Sequence, residues 1–277
     1  MPSISAVVCT KNSISSIERC LTSLKEANID ELVVVDAHST DGTTQKAEQL
    51  ADVVLTDKGK GLGAARNIGI AQTTGDYILN FGSDNVLPPN QLEIMREELE
   101  QGDFNGVSAQ TTIHGTGYLT FGLNAWRQGR FQPGSATVIG TPTLFRGEQL
   151  RENPYGEDRK FSDDSELCER WAKDSGATFA ISSAWVWEIG KTTPKEIFIR
   201  ARMYGVSDYE TFQKGNLRNW STKRQVESVL HPLMHDIVDP LKQLPPATAV
   251  GSSPFLVIFA GIRYLSWISS ATKGSDS

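Results

Sequence analysis

The sequence predicts an α/β protein in which a mixed, mainly parallel sheet is flanked by helices. Short apolar runs rich in β-branched residues recur at 4–9, 32–35, 53–55 and 77–81. The segments between them can form helices, so strands and helices alternate as in βαβ units, whose crossover connections make the strands parallel. Ligands of such sheets bind beyond the carboxyl ends of the strands. We therefore expect the functional side chains at those ends.

The predicted helices have two sequence signals at their starts. Apolar residues at 14, 17, 21 and 24 fall at helical spacing behind a capping box formed by Ser15 and Glu18. A second capping box, formed by Thr193 and Glu196 with a proline between them, opens a later helix. Beyond residue 105 the regular alternation gives way to Gly-rich turns and aromatic residues.

The composition excludes several classes of protein. With 39% hydrophobic and 22% charged residues, the chain is neither disordered nor collagen-like. A net charge of −6 disfavours nucleic acid as the main partner. The three cysteines lack the spacing of a zinc ribbon or a disulfide framework, and the first ten residues lack the pattern of a secretory signal. These features predict a cytoplasmic protein.

Asp36 ends the second predicted strand and enters a polar turn. A carboxylate on the rim of a parallel sheet can accept hydrogen bonds from a nucleobase or a ribose. The alternative is a structural turn, in which side chains such as Asp41 cap the next helix.

The segment 58–67 combines a flexible backbone with Lys58, Lys60 and Arg66 ahead of a helix, which suits a diphosphate. Its Gly59-x-Gly61-x-x-Ala64 pattern also satisfies the dinucleotide fingerprint, but it follows the third strand. The next acidic residue, Asp76, precedes its strand instead of ending it, which weakens that interpretation. A solvated glycine turn is the structural alternative.

Carboxylates mark two further positions. Asp84 follows the apolar strand at 77–81, and an oxygen ligand there, beside a diphosphate, would suit Mg²⁺ or Mn²⁺. The alternative for Asp84 is a turn residue. Asp163 and Asp164 precede a helix whose inward face carries apolar residues; one can act as a general base while the other caps the helix, and a charged surface loop is the alternative.

Five segments in this order resemble glycosyltransferase family 2, the inverting nucleotide-sugar enzymes of GT-A fold. They are VVCTKN at 7–12, VVDAHSTDGT at 34–43, GLGAARN at 61–67, GDYILNFGSDN at 75–85 and DDSELCER at 163–170. The resemblance covers about residues 3–190. It implies a GT-A domain over 1–190, with a nucleotide-sugar-binding half at 1–105 and an acceptor-side half at 106–190, followed by a helical C-terminal extension at 191–277.

The resemblance also implies roles for individual residues. The donor-binding set would be Thr10, Asn12, Asp36, Lys60, Arg66, Asn67 and Ser83. Thr10 and Asp36 would contact the base or the ribose, and Arg66 would lie near the diphosphate. Asp84 would hold the Mg²⁺ or Mn²⁺ that bridges the phosphates. Asp164, beside Asp163, would be the base that deprotonates the acceptor hydroxyl.

The sequence departs from the family pattern at two positions. Ala37 stands where a second Asp often follows Asp36, and Gly82 stands where the first Asp of the Asp-x-Asp metal motif is expected. Glu188 occupies a region where relatives often place a His near the metal, and it is an additional candidate ligand. These departures keep a non-catalytic nucleotide-sugar binder open as an alternative, and the glycine pattern keeps an NAD-dependent oxidoreductase open as a weaker one.

The implied reaction transfers a sugar to a lipid-linked, glycan or small-molecule acceptor, from a UDP-sugar by default or from GDP-mannose. The C-terminal region adds a 14-residue apolar stretch, Phe255 to Ile268. As a helix it would measure roughly 21 Å against a hydrocarbon core of about 30 Å, so we expect it to be too short to span a membrane. Arg263, Tyr264 and Trp267 suit a headgroup boundary at the cytoplasmic membrane face. Packing on the domain itself or across a homodimer remains open.

Overall fold

The computed structural model describes residues 2–57, 59–157, 163–190, 192–217 and 220–274. The chain forms two compact units. The first, here termed the sheet unit, consists of Met1–Thr112 and Pro133–Ile189; the second, the helical unit, consists of Ile113–Gln132 and Gly190–Ser277. The helical unit therefore joins the segment after 190 to residues from the middle of the chain. The functional division at 105 and 190 stays a prediction.

The secondary structure follows the alternation that the sequence predicts. The strands are β1 (Ile4–Thr10), β2 (Glu31–Asp36), β3 (Val53–Thr56), β4 (Tyr77–Gly82), β5 (Asn85–Val86), β6 (Gly106–Ile113), β7 (Gly134–Ala136), β8 (Thr143–Arg146) and β9 (Phe179–Glu188). The helices are α1 (Ile17–Glu26), α2 (Thr43–Glu48), α3 (Leu62–Gln72), α4 (Gln91–Gln101), α5 (Tyr118–Arg130), α6 (Gly147–Glu152), α7 (Asp163–Ser175), α8 (Pro194–Leu217), α9 (Thr222–Leu233), α10 (Asp239–Gln243) and α11 (Pro246–Gly274). A π-helical turn, Met234–Val238, lies between α9 and α10.

The strands form one mixed sheet in the order β3-β2-β1-β4-β8-β6-β9-β5, with β7 beside β9. The first four strands in this order, β3, β2, β1 and β4, are parallel to one another. Strand β8 pairs antiparallel with both β4 and β6. Thr10 pairs with Asp36, and Cys9 pairs with Gly82. The carboxyl ends of β1, β2 and β4 therefore lie side by side. The predicted α/β class with a mixed sheet is confirmed.

The two faces of the sheet bury different apolar clusters because successive strand residues point to opposite sides. Val8 packs with Leu21 of α1 and Met95 of α4, whereas Val7 packs in the cluster that contains Leu167 and Trp171 of α7. Each fully buried large apolar side chain contributes about 1.5–3 kcal/mol. This packing fixes α3 and α7 on the same face, and both helices supply side chains to the candidate site.

The two capping boxes have different outcomes. Thr193 and Glu196 form the predicted reciprocal bonds at the start of α8: the Thr193 N–H donates to Glu196 Oε2 (2.9 Å), and the Glu196 N–H donates to Thr193 Oγ1 (3.3 Å). The box at Ser15 is wrong, because α1 begins at Ile17 without a side-chain cap. Glu18 instead accepts a hydrogen bond from Lys46 Nζ at 3.2 Å.

The helical unit packs around Trp126, Phe255 and Phe259. Its longest helix, α11, is continuous over 29 residues although Pro254 lies inside it. At about 1.5 Å per residue it measures about 43 Å. The helix is thus longer than the 14-residue apolar stretch, and by length and composition alone α11 could cross a membrane.

Candidate active site

A cleft of about 180 Å³ opens at the carboxyl ends of β1 and β4, beside the start of α3. Its apolar floor is formed by residues such as Val7 and Cys9. The polar side chains that line it are Arg66, Asn80, Ser83, Asp84 and Thr141. Three residues that the sequence predicts for donor or metal binding, Arg66, Ser83 and Asp84, therefore line a single cavity.

Arg66 joins the cleft to the two candidate acids. Its NH1 donates to Asp163 Oδ2 (2.6 Å) and to Asp164 Oδ1 (2.9 Å), and its NH2 donates to Thr141 Oγ1 (2.6 Å). The guanidinium is buried. Burial by itself would lower its pKa, but Asp164, Tyr155 and Asp163 raise the pKa above its ordinary value. The cation is thus held permanently between the two carboxylates.

Asp163 and Asp164 differ in how accessible they are. The Asp163 side chain is 8% exposed, whereas that of Asp164 is 23% exposed. Burial raises the pKa of Asp164, Arg66 opposes that shift, and the charge of Asp163 adds to it. A carboxylate with raised proton affinity and an open side has the properties of a general base. Asp163 is more buried than Asp164 and has the shorter hydrogen bond to Arg66. It therefore anchors the cation.

Tyr155 is a third partner of this cluster, and sequence reasoning missed it. Its hydroxyl donates to Asp164 Oδ1 at 3.2 Å and accepts from Asn80 Nδ2 at 3.0 Å. Arg66 lies over its ring, 4.9 Å from the centroid. Asn67, whose predicted role in donor binding stays a prediction, fixes the backbone of Tyr155 through two hydrogen bonds of 2.8 and 2.9 Å.

The predicted base- or ribose-binding residues form the turn after β2. Asp36 is buried and accepts hydrogen bonds from the Ser39 N–H (2.9 Å), Ser39 Oγ (2.5 Å) and Thr44 Oγ1 (3.0 Å). Asn12 Oδ1 accepts from the Thr40 N–H at 2.9 Å. These contacts organise the turn, and binding of the base or the ribose by Asp36 and Asn12 stays a prediction.

Two polar atoms at this edge of the sheet are buried without a partner. Thr10 Oγ1 and Asn80 Oδ1 have no hydrogen bond in the described part of the chain. Thr10 ends β1, and Asn80 lines the cleft. Because an unpaired buried polar atom costs free energy, both positions favour a polar ligand.

Asp84 is the cleft carboxylate that could hold a metal. It is half-buried in the turn between β4 and β5, where Ser83 Oγ lies 3.0 Å from Ser13 Oγ. Glu188 is buried in β9, paired with Asn85 of β5 in the antiparallel ladder. Among the described residues, no group of three or more His, Cys, Asp or Glu could hold a metal ion. One carboxylate fits a hard cation that takes most of its ligands from phosphate and water.

The departure at Gly82 has a steric reason. A Cβ built at this position would lie 2.5 Å from Asn85 Oδ1 and 3.0 Å from Asp84 Oδ1. Because Asn85 is buried, it cannot move away freely. A side chain at Gly82 would therefore require the Asn85 side chain to shift, whereas the turn retains Asp84.

Lys60 does not reach the cleft in this structure. It is exposed, and its Nζ lies 3.8 Å from Glu157 Oε2. Lys58, the other predicted diphosphate-binding lysine, lies outside the described residues, as do residues 158–162 ahead of α7.

Comparison with known proteins connects this geometry to a family. Residues 5–155 match the profile described as "Glycosyl transferase family 2". Glycosyltransferase AglE of Haloferax volcanii is 31% identical over 164 residues, which is 55% of this chain and 48% of AglE. Succinoglycan biosynthesis protein ExoO of Rhizobium meliloti is 32% identical over 106 residues, 36% of this chain and 30% of ExoO. The first curated relatives are matched over 30%, 29% and 25% of their own length.

Solved structures share the fold. The mannosyltransferase PcManGT from Pyrobaculum calidifontis, in complex with GDP-Man and Mn²⁺, has a TM-score of 0.64 at 19% identity, covering 98% of this chain and 86% of that chain. S. aureus TarS 1-349 has a TM-score of 0.54 at 17% identity, covering 99% and 92%. The predicted GT-A architecture is confirmed at the level of the fold.

Proposed function

Because this chain belongs to glycosyl transferase family 2 and is a glycosyltransferase, we propose that it moves a sugar from a nucleotide sugar to a hydroxyl acceptor with inversion. The observation that carries the proposal is the position of Asp164. It is the more accessible of two adjacent carboxylates, its pKa is raised by burial, and its partner Arg66 lines the cleft. A base there can face an acceptor while the donor occupies the cleft.

In this mechanism Asp164 accepts the proton of the acceptor hydroxyl as its oxygen attacks the anomeric carbon. The bond to the nucleoside diphosphate breaks on the opposite face, so no glycosyl-enzyme forms. The proton stays on the Asp164 carboxyl, which loses it to solvent before the next turnover. Arg66 and Tyr155 hold the carboxylate in place during the transfer, because both donate to its Oδ1.

The donor is proposed to bind at the carboxyl ends of β1 and β4. Thr10 and Asn80 offer the unpartnered polar atoms, and Ser83 lines the same cleft. PcManGT holds GDP-Man, and TarS 1-349 was solved with UDP-GlcNAc. We retain a UDP-sugar as the default and GDP-mannose as the alternative, with a lipid-linked, glycan or small-molecule acceptor.

Asp84 is proposed to hold Mg²⁺ or Mn²⁺, and Glu188 is the additional candidate ligand. A bound divalent cation would neutralise the charge that develops on the departing diphosphate. Asp84 is the one carboxylate among the residues that line the cleft, and Gly82 offers no side chain as a ligand. The donor would therefore supply much of the coordination of the cation.

A cytoplasmic location is proposed as well. The three cysteines are free thiols, and burial raises the pKa of Cys9 and of Cys168 to about 12. Free cysteines without disulfides are typical of proteins from a reducing compartment.

The function is tested by thermal-shift measurements with UDP, GDP and NAD, each with and without Mn²⁺, followed by assays of donor hydrolysis and transfer. Stabilisation by a nucleoside diphosphate together with turnover is the expected result. Stabilisation without hydrolysis or transfer would favour the non-catalytic binder. Stabilisation by NAD alone would favour the oxidoreductase.

Replacing Asp84 by Ala is expected to weaken donor binding about 10–100-fold and to remove its dependence on Mn²⁺, because the carboxylate that would hold a cation beside the diphosphate is lost. Donor titrations with and without Mn²⁺ measure this effect. Asp174→Ala, an exposed Asp of α7, serves as the control and should bind like wild type. Full activity of the wild type in excess EDTA would contradict a metal at Asp84.

Transfer should also report the pKa of Asp164. Because burial raises that pKa above the ordinary 3.8, and only the ionised form accepts a proton, the rate should fall with decreasing pH at values above 3.8. Asp163→Asn should move this fall to lower pH, since the Asp163 charge contributes to the raised pKa. Profiles of kcat against pH measure both. An identical profile for Asp163→Asn and for wild type would contradict the assignment.

A further inference from the structure

Most of the exposed large apolar side chains lie in the helical unit. Seventeen of the twenty such side chains in the described part of the chain belong to it, although it has fewer than half of the residues. The three in the sheet unit are Ile14, Leu62 and Val138. Exposed apolar surface concentrated in this way marks an interaction surface.

Helix α9 turns its apolar stripe outward. Val226, Val229, Leu230 and Leu233 follow the spacing of one helix face, and each is 38–51% exposed. Pro232 is the buried residue of this helix. An amphipathic helix normally packs its apolar stripe on the core, so the outward stripe of α9 needs an apolar environment from elsewhere.

Helix α11 carries a second stripe along most of its length. Its exposed members, at 52–74% exposure, are Val250, Val257, Ile258, Leu265 and Ile268. The opposite face is buried through Phe255, Leu256 and Phe259. The helix therefore has two apolar faces. One packs on the rest of the helical unit, and the other is exposed.

Tyr264 joins the two stripes. It lies at the edge of the α11 stripe, three residues after Gly261 and four before Ile268. Its hydroxyl donates to the Val229 carbonyl at 2.9 Å and accepts from the Leu233 N–H at 3.3 Å. The outward faces of α9 and α11 are thus neighbours and form one surface, here termed the apolar face.

The helical unit is also basic, whereas the rest of the chain is acidic. It has thirteen Lys and Arg against seven Asp and Glu, a formal charge of +6, which leaves −12 for the sheet unit. Asp236 is fully buried and bonded to Arg130 (2.6 Å) and Arg263 (2.7 Å), and Arg263 also bonds Asp208, so these two acidic and two basic groups cancel and the excess lies on the other side chains. Lys223 is exposed in the first turn of α9.

The same contacts argue against a helix that spans the bilayer. Arg263, expected at a headgroup boundary, is instead buried and bonded to Asp208 of α8 as well as to Asp236. Helix α8 packs along α11 and carries charged residues such as Arg202 and Glu210. If α11 crossed the bilayer, these charged side chains would have to enter the hydrocarbon with it. An orientation on the membrane surface therefore costs less free energy than a spanning one.

We propose that the helical unit docks on the surface of an anionic bilayer, with the apolar face inserted at the level of the headgroups. Exposed basic side chains such as Lys223 and Arg224, in the first turn of α9, would then lie near lipid phosphates, which supplies the charge complementarity. This inference goes beyond sugar transfer and does not rest on it.

The test is co-sedimentation of the full chain with vesicles of phosphatidylglycerol and phosphatidylcholine, compared with vesicles of phosphatidylcholine alone. We expect binding to the anionic vesicles that weakens at high salt. Val226→Gln/Leu230→Gln and Leu265→Gln/Ile268→Gln should each lower the partition coefficient by about tenfold or more. Ile14→Gln/Val138→Gln, a matched pair of exposed apolar residues in the sheet unit, should bind like wild type. Thermal unfolding verifies that all variants fold.

Three results would overturn the proposal. The wild type could fail to sediment with anionic vesicles, or the two stripe variants could bind as well as wild type. Alternatively, sedimentation velocity could reveal a dimer that Leu265→Gln/Ile268→Gln converts to a monomer, without vesicle binding by either protein. In that case the apolar face covers a second copy of the chain. None of these results bears on donor hydrolysis, so the proposed function would stand.

Discussion

Asp164→Asn is expected to lower the rate of sugar transfer by about 10²–10⁴-fold while donor affinity stays near that of wild type. An amide keeps the shape of the carboxylate but cannot take the acceptor proton. The fold should tolerate the change, because Asp163 still pairs with Arg66 at 2.6 Å and Tyr155 remains held by Asn67 and Asn80. The loss should therefore appear in kcat and not in donor binding.

Asp163→Asn is the matched control, since it makes the same chemical change one residue away. The Asp163 carboxylate is more buried than that of Asp164 and holds Arg66 in place. Loss of the Asp163 carboxylate should therefore reduce the rate less than loss of the Asp164 carboxylate. Single-turnover transfer and donor titration separate the two effects. If Asp164→Asn transferred at the wild-type rate, or if Asp163→Asn were the more damaged variant, the assignment of the base would be wrong.

The sequence predicted those parts of the site that depend on local pattern. The runs at 4–9 and 77–81 each form a buried strand, and their parallel pairing brings Ser83 and Asp84 to the same edge as Thr10. Arg66 follows from the glycine-rich start of α3. The carboxyl ends of neighbouring parallel strands always lie at the same edge of a sheet. The positions of these side chains could therefore be predicted from the strands alone.

Tyr155 and Thr141 could not be predicted in the same way. They contact the Arg66 cluster from far along the chain, and neither stands in a motif that signals a partner. Asp36 shows the same limit: its position at a strand end predicts a ligand contact, but the turn hydroxyls that bond its oxygens could not be predicted from spacing. The identity of a partner is a tertiary property that spacing does not encode.

The helices show the same limit. The boxes at Ser15 and Thr193 have the same pattern, yet Lys46 of another helix draws Glu18 away from the first one. Arg263 stands in an apolar run that suggested a membrane boundary, but Asp208, 55 residues earlier, decides its environment. Charged residues in apolar runs are therefore better judged by the partners that the fold brings to them.

Arg66→Met is expected to lower the free energy of unfolding by about 3–5 kcal/mol at neutral pH. Arg66 is buried between Asp163 and Asp164, and its removal leaves a buried and an adjacent half-buried carboxylate without their cation. Methionine fills similar volume, so the loss would come from charge and not from a cavity. Denaturant titrations measure it, with Arg96→Met as a control. Arg96 pairs with Glu93 and Glu100, whose side chains are exposed on α4, so the loss of these ion pairs should cost about 1 kcal/mol or less.

The pH dependence of this variant separates charge from packing. Without Arg66, the pKa of Asp164 in the folded state should rise further above its unfolded value, since burial and the charge of Asp163 already raise it and Arg66 opposes them. Protonation then favours the folded state, so the deficit is largest at neutral pH and shrinks as the pH falls through the raised pKa of Asp164. Arg66→Lys, which keeps a cation but loses the planar fork, should fall between wild type and Arg66→Met. A deficit that is equal at acidic and neutral pH would mean that Arg66 stabilises the site by packing over Tyr155, and that Asp164 needs no cation to stay in place.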